Sequence, residues 1–185
     1  MKTESEAIPR VDIVPYDPRW PALYGAEYQL LTSCLPNLLE PIEHIGSTAV
    51  PLLSAKPIID IMAATANLND FGHAVSPLTA AGYVLIETGM RNRLFFRRRA
   101  EPSGQLYHLH VVERETWAHR KERIMRDYLI DHPTAAVAYG LLKQDLAKQY
   151  TKDSLAYTKA KTEFIQTLLD QAYDRLGRPR INAWE

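Results

Sequence analysis

Asp60 is an acid inside an apolar run, Pro57-Ile58-Ile59-Asp60-Ile61, that reads as a buried strand. A carboxylate in such a strand needs a cation, a hydrogen-bond partner or a chemical task. Thirteen positions earlier stands Ser47, in the stretch His44-Ile45-Gly46-Ser47-Thr48-Ala49-Val50-Pro51. Gly46 permits a tight turn that a residue with a Cβ resists. Ser47 follows as a helix N-cap, and exposed N–H groups at a helix start suit a phosphate. The pattern is strand end, glycine turn, short helix, loop and buried strand. It sets an anion-binding turn beside an acid. The competing reading of Asp60 is a structural acid that accepts backbone N–H groups.

A second cluster is His108-Leu109-His110. On a strand the two imidazoles point the same way, and Val112 continues their face. Where that strand neighbours the Asp60 strand, two imidazoles and one carboxylate converge. Such a set suits Zn²⁺, Mn²⁺ or Fe²⁺ better than Mg²⁺, and also acid–base work or phosphate binding. The alternative is a histidine pair hydrogen-bonded at a sheet edge. His44 either faces the same cleft or caps the glycine turn.

Basic residues form a third group. Lys56 precedes the Asp60 strand, and Arg97 lies in the run Leu94-Phe95-Phe96-Arg97-Arg98-Arg99. Alternation puts Phe95, Arg97 and Arg99 on one face, with Phe96 and Arg98 on the other. A basic run beside a phosphate-type turn is an anion clamp, although some of these arginines only face solvent. In the last helix, Tyr157, Lys161, Phe164, Ile165, Leu168 and Ala172 share one arc at 100° per residue, with Lys161 near its middle. A lysine there must snorkel, pair or reach into a cleft. Lys159 falls on the opposite side, and Lys143 lies at the flank of its own helix's apolar stripe.

These residues need elements to position them. A helix from Arg19, with Pro21 in its first turn and Pro36 at its end, carries an apolar stripe in which Glu27 is the exception. Strands are expected at 39–45, 57–63, 83–87, 92–99 and 106–112, with a short strand at 11–14 and a hairpin turn at Glu101-Pro102-Ser103-Gly104. A helix opens near Asn67 and closes at Gly82. Further helices are expected at 115–131, 133–149 and 154–176, the last stopped by Gly177 and Pro179. Residues 1–10 read as a loose arm. Strands come first and helices last, which makes the class α+β. Trp20, Trp117, Tyr128 and Tyr139 fit apolar stripes and read as core.

Composition narrows the function. Lys and Arg number 22, Asp and Glu 22, so the balance is zero and argues against a dedicated nucleic-acid-binding protein. Cys34 is the single cysteine, which excludes an internal disulfide and fits a reducing compartment. The polar, acidic start lacks an apolar signal core, and no apolar run approaches a membrane span. The chain therefore reads as soluble and cytoplasmic, with no membrane partner. No Walker A loop, dinucleotide fingerprint, zinc ribbon or nucleophile elbow is present. At 185 residues it reads as one domain, residues 1–185, with an α/β part at about 14–113 and a helical part at about 114–176.

The glycine–serine turn with an acid about a dozen residues on resembles the nucleotidyltransferase signature. The words around it are similar to the GrpB-like family of that superfamily. They are His44 to Pro51, Ala55-Lys56-Pro57-Ile58-Ile59-Asp60-Ile61, Arg126-Asp127-Tyr128-Leu129 with His132-Pro133, and Tyr157-Thr158-Lys159-Ala160-Lys161. The resemblance implies a nucleotidyltransferase-like mixed β-sheet with flanking helices and a C-terminal helical lobe. It implies a nucleotide or another phosphorylated small molecule as ligand, bound among His44, Gly46, Ser47, Lys56, Arg97, Lys143 and Lys161. Asp60, His108 and His110 stand at the catalytic positions, and Asp60 with His110 at the place of a divalent metal, Mg²⁺ or Mn²⁺. Transfer of a nucleotidyl group is the implied reaction. Typical members carry a second acid two residues after the first, which here is Met62, a poor ligand for a hard cation. The GrpB-like family is apolar there too. A binding module without chemistry and a His/Asp metal-dependent hydrolase are the alternatives.

Overall fold

The computed structural model describes residues 11–36 and 38–183, so the arm expected at 1–10 lies outside the described residues. Five strands form one mixed sheet in the order β1-β2-β5-β4-β3. They are β1 Ile42–Ile45, β2 Ile58–Thr65, β3 Tyr83–Leu85, β4 Leu94–Ala100 and β5 Gln105–Glu113. β2 and β5 run parallel, and the other pairs are antiparallel. The parallel pair needs a crossover. The chain makes it through a helical segment and the β3–β4 hairpin, which places β5 between β2 and β4.

One face of the sheet is the main core. Ile59, Ile61, Ala63, Phe96, Tyr107, Leu109 and Val111 pack there against Trp20 and Leu31 of α1 (Trp20–Cys34) and Leu78 of α2 (Val75–Ala80). Glu27, the exception in the α1 stripe, is 3% exposed. Its carboxylate accepts from the Tyr83 hydroxyl at 2.6 Å and from Arg98 Nη1 at 2.7 Å. Burial raises the Glu27 pKa, against those two partners. Arg98 thus points into the core, while Arg97 and Arg99 on the other face are exposed.

The C-terminal helices are α3 Lys121–Asp131, α4 Pro133–Gln149, α5 Ser154–Ala160 and α6 Thr162–Arg175. They gather around the loop that follows β1, where Val50 and Leu53 meet Leu129, Ala136, Tyr139 and Leu168. Gly140 lets α4 approach closely, since a Cβ there would lie 3.3 Å from Leu53 Cδ1. Arg123 and Arg126 of α3 both pair with Glu43 of β1, at 2.9 and 2.7 Å. Among the described residues no helix is long and apolar enough to cross a membrane.

Several elements differ from expectation at their ends. β1 begins at Ile42, just after Pro41, which has no N–H to donate to a ladder. Val14 makes only an isolated bridge with Ala55. β3 stops at Leu85. The segments before α2 and α3, Asn69–Ala74 and Arg114–His119, are 3-10 helices. The expected last helix is two, jointed at Lys161. The Thr162 hydroxyl there donates to the Lys159 carbonyl, the kind of side-chain competition that breaks a helix ladder.

The Glu27–Arg98 pair generates a stability prediction. Arg98→Met leaves a buried carboxylate without its cation and should cost about 3 kcal/mol in urea unfolding, whereas adding Glu27→Gln should recover much of the loss. A loss under about 0.5 kcal/mol, the scale of an ordinary surface substitution, would show that the pair is incidental.

Candidate functional site

A cavity of about 240 Å³ lies between the sheet and the helical half. The Gly46 turn forms part of its wall. Gly46 has φ +70°, and a Cβ there would stand 2.6 Å from Asp60 Oδ2. Glycine is therefore required twice, for the backbone angle and for the carboxylate packed against it. Ser47 and Thr48 follow in a 3-10 turn, Ser47–Ala49, and both line the cavity.

Asp60 and His108 are register partners on the parallel strands β2 and β5. His108 Nδ1 lies 3.1 Å from Asp60 Oδ1. A carboxylate only accepts, so Nδ1 carries the proton, and in the neutral ring Nε2 is left as an acceptor. Both residues line the cavity.

Three lysines complete it. Lys143 of α4 is 3% exposed and donates to Ser47 Oγ at 2.9 Å and to the Ser54 carbonyl. Lys56 Nζ lies 3.5 Å from Ser154 Oγ and 4.8 Å from the Tyr157 ring centre. Lys161 Nζ stands 4.3 Å from the same ring, and among the described residues it has no hydrogen-bond acceptor. Lys159 is exposed. Burial lowers the proton affinity of all three. The Lys143 pKa falls to about 7, helped by the charge of Lys161. That of Lys161 falls to about 8, lowered by burial and Lys56 and partly restored by Asp60. Lys56 is lowered by burial, and Asp60 opposes the shift.

Three candidates lie elsewhere. His44 pairs with Ile61 and so sits on the opposite face from Asp60. Its ring stacks on Tyr24 at 5.0 Å, and its Nε2 meets Thr48 Oγ1 at 2.9 Å. Thr48 gives its own proton to the Ile58 carbonyl, so His44 is the donor. Of its two readings the geometry is that of the turn cap, and burial lowers its pKa to about 4. His110 shares the Asp60 face but is spent on Arg93, whose Nη1 is 3.4 Å from His110 Nδ1. Burial takes its pKa to about 4 as well. Arg97 lies opposite His108 in register, yet it is exposed and does not line the cavity.

The donors do not fit a paired-carboxylate metal platform. Met62 holds the second acid position, is 0% exposed, and packs with Ile45, Val112 and Trp117. His110 Nδ1 faces a guanidinium, and Asp60 is engaged by His108. Among the described residues no three His, Cys, Asp or Glu side chains stand where they could hold a metal ion.

Sequence reasoning assigned Tyr139 to the core, where it is buried, but it also lines the cavity beneath Lys143, whose Nζ is 4.6 Å from its ring. The four-residue spacing of Tyr139 and Lys143, repeated by Tyr157 and Lys161, is the signal that marks both tyrosines. Ser54, which accepts from Lys143 and whose Oγ is 3.0 Å from Gln144 Nε2, carries no such signal.

The GrpB protein family model matches residues 10–171. A UPF0157 protein of Pseudomonas aeruginosa is 35% identical over 179 residues, covering 94% of this chain and 72% of that protein. The crystal structure of the conserved protein GrpB from Enterococcus faecalis aligns with a TM-score of 0.81 at 28% identity, over 90% of this chain and all of that one. Terminal uridylyl transferase 4 of Trypanosoma brucei, solved with bound CTP, aligns at 0.50 and 12% identity, over 83% of this chain and 49% of that one, a likeness of fold alone. With its glycine–serine turn, its strand acid and a nucleotidyltransferase-like mixed sheet, the chain belongs to the GrpB family.

Proposed function

We propose that the chain binds a phosphorylated small molecule, in the first place a nucleotide, in the cavity beside the Gly46-Ser47 turn. One observation carries the reading. Three ammonium groups, from the lead into β2, from α4 and from the α5–α6 joint, converge on one cavity at a glycine–serine turn. An ammonium with no protein acceptor among the described residues, as at the half-buried Lys161, is open to an anion. About 240 Å³ falls below the ~300–1,000 Å³ of sites that enclose a drug-sized ligand. The volume suits the phosphate end of a nucleotide, with the sugar and base towards the mouth.

Nucleotidyl transfer to a small acceptor is the reaction this reading implies. His108, oriented by Asp60, offers Nε2 to the proton of an attacking hydroxyl. The lysines face the negative charge that grows on the phosphates. Binding without transfer is the second reading, favoured by the buried Met62 in the second acid position. The hydrolase of His108, His110 and Asp60 has less support, because His110 is committed to Arg93.

A thermal-shift panel tests the proposal. Nucleoside di- and triphosphates should raise the melting temperature by mass action, and unphosphorylated nucleosides should not. Equal behaviour of the two sets would end it. Lys161→Met keeps the bulk of the stem and removes the charge. It should leave the melting temperature similar or raised and weaken phosphate-ligand binding by about 1–3 kcal/mol. Lys159→Met should do neither, and calorimetry on the two variants separates a ligand-facing lysine from a snorkelling one.

The lowered lysines also predict a pH dependence. Lys143, facing Lys161 and the Tyr139 ring, titrates near 7 in the fold against 10.5 when unperturbed. Lys161, facing Lys56, Asp60 and Tyr157, titrates near 8. Between those values and 10.5 the unfolded chain holds more protons than the fold, so their contribution to stability rises with pH across that window. The burial penalty is fully present below about pH 7. Thermal unfolding should show the rise, and Lys143→Met should flatten it. Phosphate binding should run the other way, weakening above about pH 8 and taking up protons near neutrality, which calorimetry in buffers of different ionisation enthalpy measures.

A further inference from the structure

We infer that the cavity takes its phosphate group as the free anion, without a divalent cation, and that Lys56, Lys143 and Lys161 supply the positive charge a metal ion would bring. The inference rests on the reading of this cavity as a phosphate site and goes beyond it in naming the ionic form of the ligand.

The argument starts from the donors. A divalent ion between protein and phosphate needs carboxylate oxygens, commonly one or two in addition to the phosphate's own. Asp60 is the carboxylate that lines the cavity, and its Oδ1 already accepts from His108 Nδ1. Its Oδ2 lies against Gly46, where even a methyl carbon would stand 2.6 Å away. The position two residues on is Met62, sealed under an apolar cluster.

The charges point the same way. Lys56 and Lys161 both lie against the Tyr157 ring, at 4.8 and 4.3 Å, and Lys143 reaches the cavity from α4. One carboxylate faces three ammonium groups. A divalent cation entering there meets net repulsion, whereas a di- or triphosphate meets a positive field that Asp60 offsets only in part. Ammonium groups are effective phosphate binders as point charges and need no metal bridge.

The test is calorimetric titration of pyrophosphate and ATP into the full chain, once in EDTA and once in excess Mg²⁺. Binding in EDTA at least as tight as in Mg²⁺ is the expected result. Under EDTA, a Lys56→Gln/Lys161→Gln double variant with an unchanged melting temperature should lose about ten- to a hundredfold in affinity, the scale of one or two charge-assisted contacts. Binding that requires Mg²⁺ overturns the inference and leaves the phosphate-site reading standing. An undiminished EDTA affinity in the double variant also overturns it, because the charge must then come from elsewhere. Absence of binding in both conditions overturns the phosphate-site reading together with the inference.

Discussion

The ammonium of Lys143 sits where the helical half meets the sheet. Taking such a group out of water costs several kcal/mol unless other dipoles replace its hydration. Ser47 Oγ, the Ser54 carbonyl and the Tyr139 ring do so here. Two of these belong to the segment that follows Gly46, and the third to α4 itself. α4 therefore cannot shift along the sheet without stranding a buried charge. The apolar contacts of Leu53 and Val50 with Tyr139 and Leu168 give that junction its area. The lysine gives it a register.

The same ammonium makes the cavity an electrostatic compromise. Burial lowers the hold of Lys143, Lys161 and Lys56 on a proton; the charge of Lys161 adds to this at Lys143 and that of Lys56 at Lys161, while Asp60 offsets part of the shift at Lys161 and Lys56. A core built for stability alone would place an acid or an apolar residue at Lys161. Keeping like charges around a small cavity is unfavourable, and an anion is the species that would relieve it.

What was legible in the sequence was local. The turn at Gly46-Ser47 and the acid in β2 are read from neighbouring residues; Lys161 is read from an arc from Tyr157 to Ala172 on one helix, which the joint at Lys161 interrupts, so that only its four-residue spacing from Tyr157 stays on the near side of the break. Pairing was not legible. The contact of His108 with Asp60 spans 48 residues and depends on β5 running parallel to β2, which alternation within one strand does not reveal. Alternation likewise relates Arg97 to Arg98 without saying which of them meets Glu27. His44 shows the limit most clearly. Its two readings differ only in which face of a four-residue strand is the core, and the Tyr24 ring and the Thr48 hydroxyl decide it.

Met62 separates a lost ligand from a different design. A lost ligand would leave an apolar side chain at the rim of an otherwise unchanged acidic pocket. Met62 instead is fully buried, between Ile45 at the end of β1 and Val112 on β5, with Trp117 of the following 3-10 turn over them. Trp117 is in turn covered by the Arg123 guanidinium at 4.5 Å, and Arg123 pairs with Glu43 on β1. An acid at position 62 would have to be buried against Ile45, Val112 and Trp117, beside Glu43 on the neighbouring strand, at a desolvation cost that the apolar methionine avoids. The surroundings are thus organised around an apolar residue through three elements. Positive charge reaches the cavity on lysines carried by the loop before β2 and by the helices. In this chain the groups that line the cavity come from the helical half as much as from the sheet, so the packing of the two halves and the chemistry of the cavity are one constraint.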